Sequence, residues 1–456
     1  MRVVIFGTGK LYEKNRLKIR KDLEIVAFLD NQLAKQGTIL DGKPIVDPKE
    51  ILILQYDFVF ILSGFFVEMK EQLSNLGVPE SKIYDINRME VLCEVENTKW
   101  YGEISRNKKR RHILVFSHSL TSTGAQNVLF IAVGVLKQNG YDVVVVSKED
   151  GVLRDKFLNE QVPVIILSNF NGEDTHFCKL VEWADQILIN TAWLYYIIKK
   201  FESVNKKIIW WIHESGALSY IGRVELQQIC GKDNIKIFVV SEVVKNKFEE
   251  ICGKGRPVDI LRYGIQDYSK NKCVEKKDKK IFAIIGSISK MKGQDLFISA
   301  VKKLPEEYRN KAEFWIVGGG TFSKEDLQNV ENCSCLKIIG EIKNEEVKEL
   351  YQKIDVVVCC SREDALPVVV TEGFMNDKLV ILSEAIGTAK YVVNGETALI
   401  MKKEDVQHLV DLIKWVLDNE SEAMKIGRAS RQIYKKFFSL KVFEKNLLRE
   451  FSTILS

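Results

Sequence analysis

No stretch of this chain approaches the roughly 18 consecutive apolar residues of a membrane-spanning helix, so none is expected. The opening MRVVIFGTGK carries an apolar run too short for a signal-peptide core, and any membrane contact is expected to be peripheral. The nine cysteines are an odd number, and none has zinc-finger or thioredoxin spacing. Cys333 and Cys335 form a C-x-C, and Cys359 and Cys360 end an apolar run where core packing suits them. Reduced thiols and a cytoplasmic location, with room for peripheral contact at the inner face of the plasma membrane, fit this usage. Charge of one sign is also scarce. With 67 basic and 62 acidic residues the net charge is +5, too little to argue for a nucleic-acid partner. The one basic run, RNKKRR (Arg106 to Arg111), reads as a solvated linker or as a contact for anionic headgroups. There is no low-complexity segment and no short internal repeat.

What is present is alternation. Short β-branched runs are separated by helical stretches throughout, which predicts an α/β chain with parallel sheets. The length of 456 residues suggests about three domains. Residues 1–90 form a first block with strands at Val3–Phe6, Glu24–Asn31, Phe58–Ser63 and Lys82–Ile86, and a basic amphipathic helix that includes Leu17 and Ile19. Residues 91–111 read as a helical connector. A second block, 112–270, opens with the strand His112–Ser117 and a Ser/Thr/Gly loop, followed by a helix that stops at Gly140. A lysine-rich linker, Lys270 to Lys280, marks a boundary. A third block, 281–435, repeats the strand–helix pattern, and 436–456 reads as a terminal helix that could cross back to the second block.

In parallel sheets, ligands bind beyond the carboxyl ends of the strands. After the first strand of the third block comes GSISKMKG, with Gly286 able to approach a ligand closely and Lys292 at a helix start, where phosphate is favoured. A plain turn with a solvated lysine is the alternative. After the second strand comes GGGT, from Gly318 and Gly319 onward, a loop that clears a bulky ligand or simply turns. After the fourth comes SREDALPVVVTEG. Asp364 lies in the loop, Pro367 suits a first helical turn, and Glu372 follows within that helix. Two such carboxylates accept paired hydroxyl protons, as sugar diols require; a cap and a surface glutamate would be the ordinary explanation. Gly387, Thr388 and Ala389 then give a small-residue loop whose amides suit a diphosphate.

These motifs in this order resemble the family-4 retaining glycosyltransferases of the GT-B fold, over about residues 112–456. The matching elements are Gly286 with Lys292–Gly293, Gly318–Gly319, Asp364 with Glu372, Gly387, and Asn394 to Leu399, together with SHSLTSTGAQNVL, WWIHE and Tyr263–Ile265 in the other half. The resemblance implies two facing Rossmann-like domains with a deep cleft between them, plus the small N-terminal α/β domain. It implies a nucleotide-sugar donor, UDP-sugar first, with no cofactor or metal required. The acceptor would be a glycan, a lipid-linked glycan or a protein, in cell-surface polysaccharide or glycoconjugate synthesis, and the sugar transferred would be a hexosyl or N-acetylhexosaminyl group. Carried over by residue, Lys292 would hold the donor pyrophosphate and Glu372 the ribose hydroxyls. Asp364 would contact the transferred sugar, and His213 would approach the reacting carbon, although a histidine ending an apolar strand can also be a satisfied core residue. Gly124 and its neighbours would lie under the phosphates, and His118 is a second candidate for the cleft. The pattern departs at Asp364, where glutamate is usual. It departs again at Ser287, where an arginine is usual, so Lys290 or Arg262 could substitute. Asp377 and Lys390 are further departures.

Two other functions stay open. A catalytically silent sugar-nucleotide sensor is one. The other is an NAD-dependent sugar oxidoreductase or epimerase working through Gly7, Gly9 and Asp30, a partial dinucleotide fingerprint with Tyr12 where the third glycine belongs. The first block could instead serve docking or oligomerisation.

Overall fold

The computed structural model describes residues 1–92, 98–105, 107, 109–167, 175–198, 201, 204–269, 278–342 and 346–452. Arg106 and Lys108 of the basic run, 270–277 of the lysine-rich linker and 453–456 of the tail lie outside them. The chain forms two compact units, one built on residues 1–100 and the other on most of 101–456.

In the first unit, apolar runs such as Val3–Phe6 and Phe58–Ile61 are too hydrophobic to face water on either side, and they are buried in the middle of a sheet. Its strand order is Ile39–Leu40, Lys43–Val46, Glu24–Leu29, Arg2–Phe6, Phe58–Ile61, Ile83–Tyr84, parallel except for the outermost hairpin. The helix expected around Leu17 is shorter than the pattern suggested. It spans Lys10–Asn15, a 3-10 turn follows at Arg16–Lys18, and Leu17 is 91% exposed. Tyr12 is the residue that anchors it, edge-on to Phe28 and hydrogen-bonded to Asp41.

Among the described residues of the connector expected to be helical, the helix is Met89–Leu92. Lys99–Tyr101 is a strand, in keeping with the strand preference of its aromatic pair.

The second unit holds two parallel sheets. The first runs from its edge inward as Asp259–Ile260, Ile235–Val239, Lys207–Ile212, Gln186–Asn190, His112–Ser119, Asp142–Glu149. The second runs Leu336–Gly340, Ala312–Val317, Lys280–Ile285, Val356–Cys359, Leu379–Ser383, Leu399–Met401, all parallel. In that order the chain winds outward from Lys280–Ile285 in one direction and then returns to its other side with Val356–Cys359. The gap beyond the ends of these two neighbours is therefore the sheet's switch point, where ligands settle in such folds. Beneath it is a core of Phe282, Phe297, Phe314, Val358 and Ile413, with Cys333, Cys335 and Cys360 packed as small apolar groups.

The end of the chain ties the two sheets together. Helix Glu420–Ile433 on the second sheet passes through a π-helical turn at Tyr434–Phe438 into Leu440–Ser452. That last helix packs on the first sheet. Phe443 stacks on Trp211 with centroids 5.7 Å apart, and Glu450 takes Lys236 at 2.6 Å. No helix among the described residues is long and apolar enough to cross a membrane.

Candidate active site

At the switch point, the loop after Lys280–Ile285 and the loop after Val356–Cys359 meet through side chains. Lys292 Nζ lies 2.5 Å from Asp364 Oδ2. Burial alone would lower the Lys292 pKa, but the adjacent Asp364 carboxylate outweighs it and holds the ammonium above its ordinary value. The first loop is shaped from within by Gln294, which no sequence motif singled out. Its Nε2 donates to the Ser287 carbonyl at 3.1 Å, and its Oε1 accepts the Ser289 N–H at 3.3 Å. The second loop is clamped by Arg362, which reaches Asp295 in bidentate fashion at 2.7 and 2.9 Å and Glu404 at 2.5 Å.

Gly286, Ser287, Gly318 and Gly319 form one layer beside this pair. The Gly286 N–H meets the Val317 carbonyl at 2.9 Å, and the Ile288 N–H meets that of Gly319 at 2.8 Å. Gly318, at φ 141°, passes so close to Gly286 that a Cβ there would lie 2.0 Å from the Gly286 carbonyl oxygen. Gly387 completes the layer on the other side. Its N–H donates to the Asp364 carbonyl at 2.9 Å, and its neighbour Thr388 is buried with Oγ1 lacking a hydrogen-bond partner among the described residues.

Glu372 sits in helix Val368–Met375, which Pro367 opens. Both of its oxygens are engaged. The Tyr268 hydroxyl donates to Oε1 at 3.0 Å and that of Tyr351 to Oε2 at 3.1 Å. Burial pushes the carboxyl up to about 7, against the opposing pull of the two hydroxyls.

The facing half contributes His213, at the end of Lys207–Ile212. Burial, with a lesser push from His118, lowers its pKa to about 3, and its Nε2 has no hydrogen-bond partner among the described residues. The ring is therefore neutral near pH 7, with one buried nitrogen unsatisfied. The next residue, Glu214, is pushed up to about 7 by burial and accepts the Ala192 N–H at 3.1 Å. His118 approaches Thr191 Oγ1 at 3.2 Å, and Thr191 holds φ 86°, a strained value for a β-branched residue. Gly124 is exposed as the first residue of helix Gly124–Gln138. The halves touch where Ser215 donates to Glu363 and Tyr263 to the Leu366 carbonyl at 3.0 Å. Of the two substitutes for the missing arginine, Lys290 is exposed. Arg262 lies over the rings of Tyr391 and Phe437, 5.2 and 5.7 Å from their centroids.

Family models match in the same places. "Glycosyl transferases group 1" covers 266–433, "Glycosyl-transferase family 4" covers 109–256, and "C2185-like, N-terminal" covers 1–84. The second unit thus carries a glycosyl transferases group 1 domain and a glycosyl-transferase family 4 domain. An uncharacterized glycosyltransferase of Methanocaldococcus jannaschii is 25% identical to this chain over 204 residues, 44% of this chain and 55% of its own. The GalNAc-alpha-(1->4)-GalNAc-alpha-(1->3)-diNAcBac-PP-undecaprenol alpha-1,4-N-acetyl-D-galactosaminyltransferase of Campylobacter jejuni is 25% identical over 155 residues, 34% of this chain and 43% of its own. The chain thus spans about half the length of these relatives. Among solved structures, HepE of Anabaena in complex with UDP and glucose superposes with TM-score 0.65 at 16% identity, over 75% of this chain and all of its own. The fold is accordingly GT-B.

In the first unit, Gly7 follows the strand Arg2–Phe6 and Gly9 precedes the helix Lys10–Asn15. Asp30 accepts from Thr8, from the Gln32 N–H at 2.9 Å and from Lys35 at 3.1 Å. Burial would raise its pKa, but these donors hold it below the usual carboxylate range. The ring of Tyr12 fills the space that a third glycine would leave open between helix and strand.

Proposed function

We propose that this chain transfers a hexosyl or N-acetylhexosaminyl group from a UDP-sugar to a glycan or lipid-linked glycan acceptor, with retention of configuration. The observation that carries the reading is the meeting of Lys292, Asp364 and Gly387 at the switch point of the second sheet. Breaking the sugar–phosphate bond develops charge on the leaving diphosphate. Lys292, exchanging Asp364 for phosphate, and the buried Thr388 hydroxyl, which has no partner among the described residues, face that charge, and a cationic clamp of this kind works without a metal. Asp364, once released, is free to accept hydroxyls of the transferred sugar. Glu372 takes the ribose diol, and neutral His213 approaches the sugar from the other half. Same-face attack, with the donor phosphate receiving the acceptor proton, is the mechanism that the family resemblance implies. HepE, bound to UDP and glucose, supports the donor class, and the undecaprenol-linked substrate named for the Campylobacter relative supports the acceptor class. The acceptor class in turn calls for a peripheral membrane contact.

The test is calorimetry with UDP, GDP, ADP, NAD and UDP-sugars on wild type and Glu372→Ala, followed by transfer assays with and without EDTA. Binding of UDP that the substitution weakens, with turnover in EDTA, is expected. Binding without turnover on any acceptor would favour a sensor. Binding of NAD alone, unaffected by the substitution, would move the chemistry to the first unit, where the engagement of Asp30 by Thr8, Gln32 and Lys35 gives that reading little support.

A further inference from the structure

The geometry points to Tyr268 and Tyr351 as a pair of positioning residues that aim the Glu372 carboxylate at the donor ribose and make the site select ribose over 2′-deoxyribose. This rests on the assignment of Glu372 to the ribose. A carboxylate is an acceptor with two oxygens and about four lone-pair sites. Here one hydroxyl donates to each oxygen, Tyr268 to Oε1 at 3.0 Å and Tyr351 to Oε2 at 3.1 Å. The arrangement leaves one acceptor site on each oxygen, the complement of a vicinal diol. It also fixes the carboxylate plane, because the two donors come from different elements. Tyr351 lies in helix Val347–Lys353, buried, with its hydroxyl also 3.1 Å from the Val369 carbonyl oxygen. Tyr268 follows the crossover at Tyr263–Ile265 and carries Lys348 Nζ over its ring at 5.4 Å. A carboxylate free to rotate would bind either diol oxygen singly and discriminate poorly.

The groups facing Glu372 are these two tyrosines, the buried Tyr263 and, through the ring of Tyr268, Asn376 and Tyr434. Both direct contacts are hydroxyl donors that favour the charged carboxylate. Removing either hydroxyl therefore moves the Glu372 titration upward from about 7 and shifts the acid limb of donor binding the same way.

The experiment compares full-length wild type, Tyr268→Phe and Tyr351→Phe, titrated with UDP and with 2′-deoxy-UDP between pH 6 and about 9, a window that brackets the Glu372 value. Wild type is expected to prefer UDP by about tenfold, the worth of a hydrogen bond to a charged acceptor. Each phenylalanine variant should lose most of that preference, bind 2′-deoxy-UDP nearly as before and need a higher pH for half-maximal affinity. If wild type binds UDP without preferring the ribose, the assignment of Glu372 itself fails. If wild type prefers UDP and both variants keep the preference and the pH limb, the tyrosines only pack, and the proposal is overturned. Circular dichroism melts of the variants guard against misfolding. Should Tyr351→Phe unfold, Tyr268→Phe, the less buried of the two, decides between these outcomes.

Discussion

Gly387 shows what a single methyl group decides. A Cβ there would lie 1.8 Å from the Ala365 carbonyl oxygen and 2.7 Å from Ser241 Oγ, and the first of these is backbone that cannot swing away. Gly387→Ala is expected to cost about 2 kcal/mol of stability, as overpacking does, with donor affinity falling further as the loop shifts. Urea midpoints and calorimetry on the same protein separate the two effects. Lys292 is the other decisive residue. Lys292→Met strands Asp364 and removes the cation from the leaving diphosphate, so kcat should fall about a hundredfold while Lys292→Arg retains a measurable rate. Steady-state kinetics at saturating donor would show it, and an unchanged kcat would remove Lys292 from the chemistry. Lys292 and Asp364 stand out in the sequence because each follows a strand in a recognisable setting. Tyr268, Tyr351 and Gln294 do not, because a tyrosine or glutamine that orients a neighbour carries no spacing of its own.

Among elements, the terminal helix Leu440–Ser452 has consequences its position in the chain does not suggest. It belongs by sequence to the second sheet and by contact to the first. Lys207 donates to the Glu450 carbonyl, Arg111 to that of Phe451 at 3.1 Å, and Phe443 stacks on Trp211. Trp211 also lies 4.5 Å from the His213 ring, so the helix sits behind the strand that ends at the cleft. Phe443→Ala should destabilise by roughly 3–5 kcal/mol through lost burial and the cavity left behind. Its effect on donor affinity should be small, because the donor loops lie on the other sheet. A thermal melt read alongside UDP titration checks both statements. The central strands of the second unit are legible from β-branched runs, because parallel strands buried on both faces must be apolar throughout, whereas the short edge strands Asp259–Ile260 and Leu399–Met401 are not. The short helix Lys10–Asn15 was not, since Leu17 looks like a core residue until the turn at Arg16–Lys18 carries it outward.

Across the whole molecule, burial sets opposing pH dependences. Glu214 and Glu372 are both raised to about 7, above the ordinary 4.5. Each keeps in the folded state a proton that the unfolded chain gives up, so its contribution to stability is complete below about 4.5 and is lost as pH rises through 7. His213 runs the other way. Its value falls from 6.5 to about 3, so the unfolded chain takes up the proton first and stability declines as pH drops below about 6.5. Glu214→Gln should flatten the fall in urea midpoint between pH 5 and about 7 and leave the acid side, which His213 controls, unchanged. A midpoint that falls as steeply in the variant would mean that Glu214 titrates normally.

Composition and strand–helix alternation by themselves determined an α/β chain with parallel sheets. The ordered glycines and acids pointed to the GT-B family, since hydrophobic period and turn chemistry act locally and are written along the chain. Which loops meet was decided only in three dimensions. Lys292 and Asp364 are 72 residues apart and touch because the strand order reverses between Lys280–Ile285 and Val356–Cys359. The orientation of Glu372, the burial that moves its titration to about 7 and the crossing of the last helix have the same origin. Each depends on side chains distant in sequence converging in a low-dielectric interior, and no local pattern encodes that convergence.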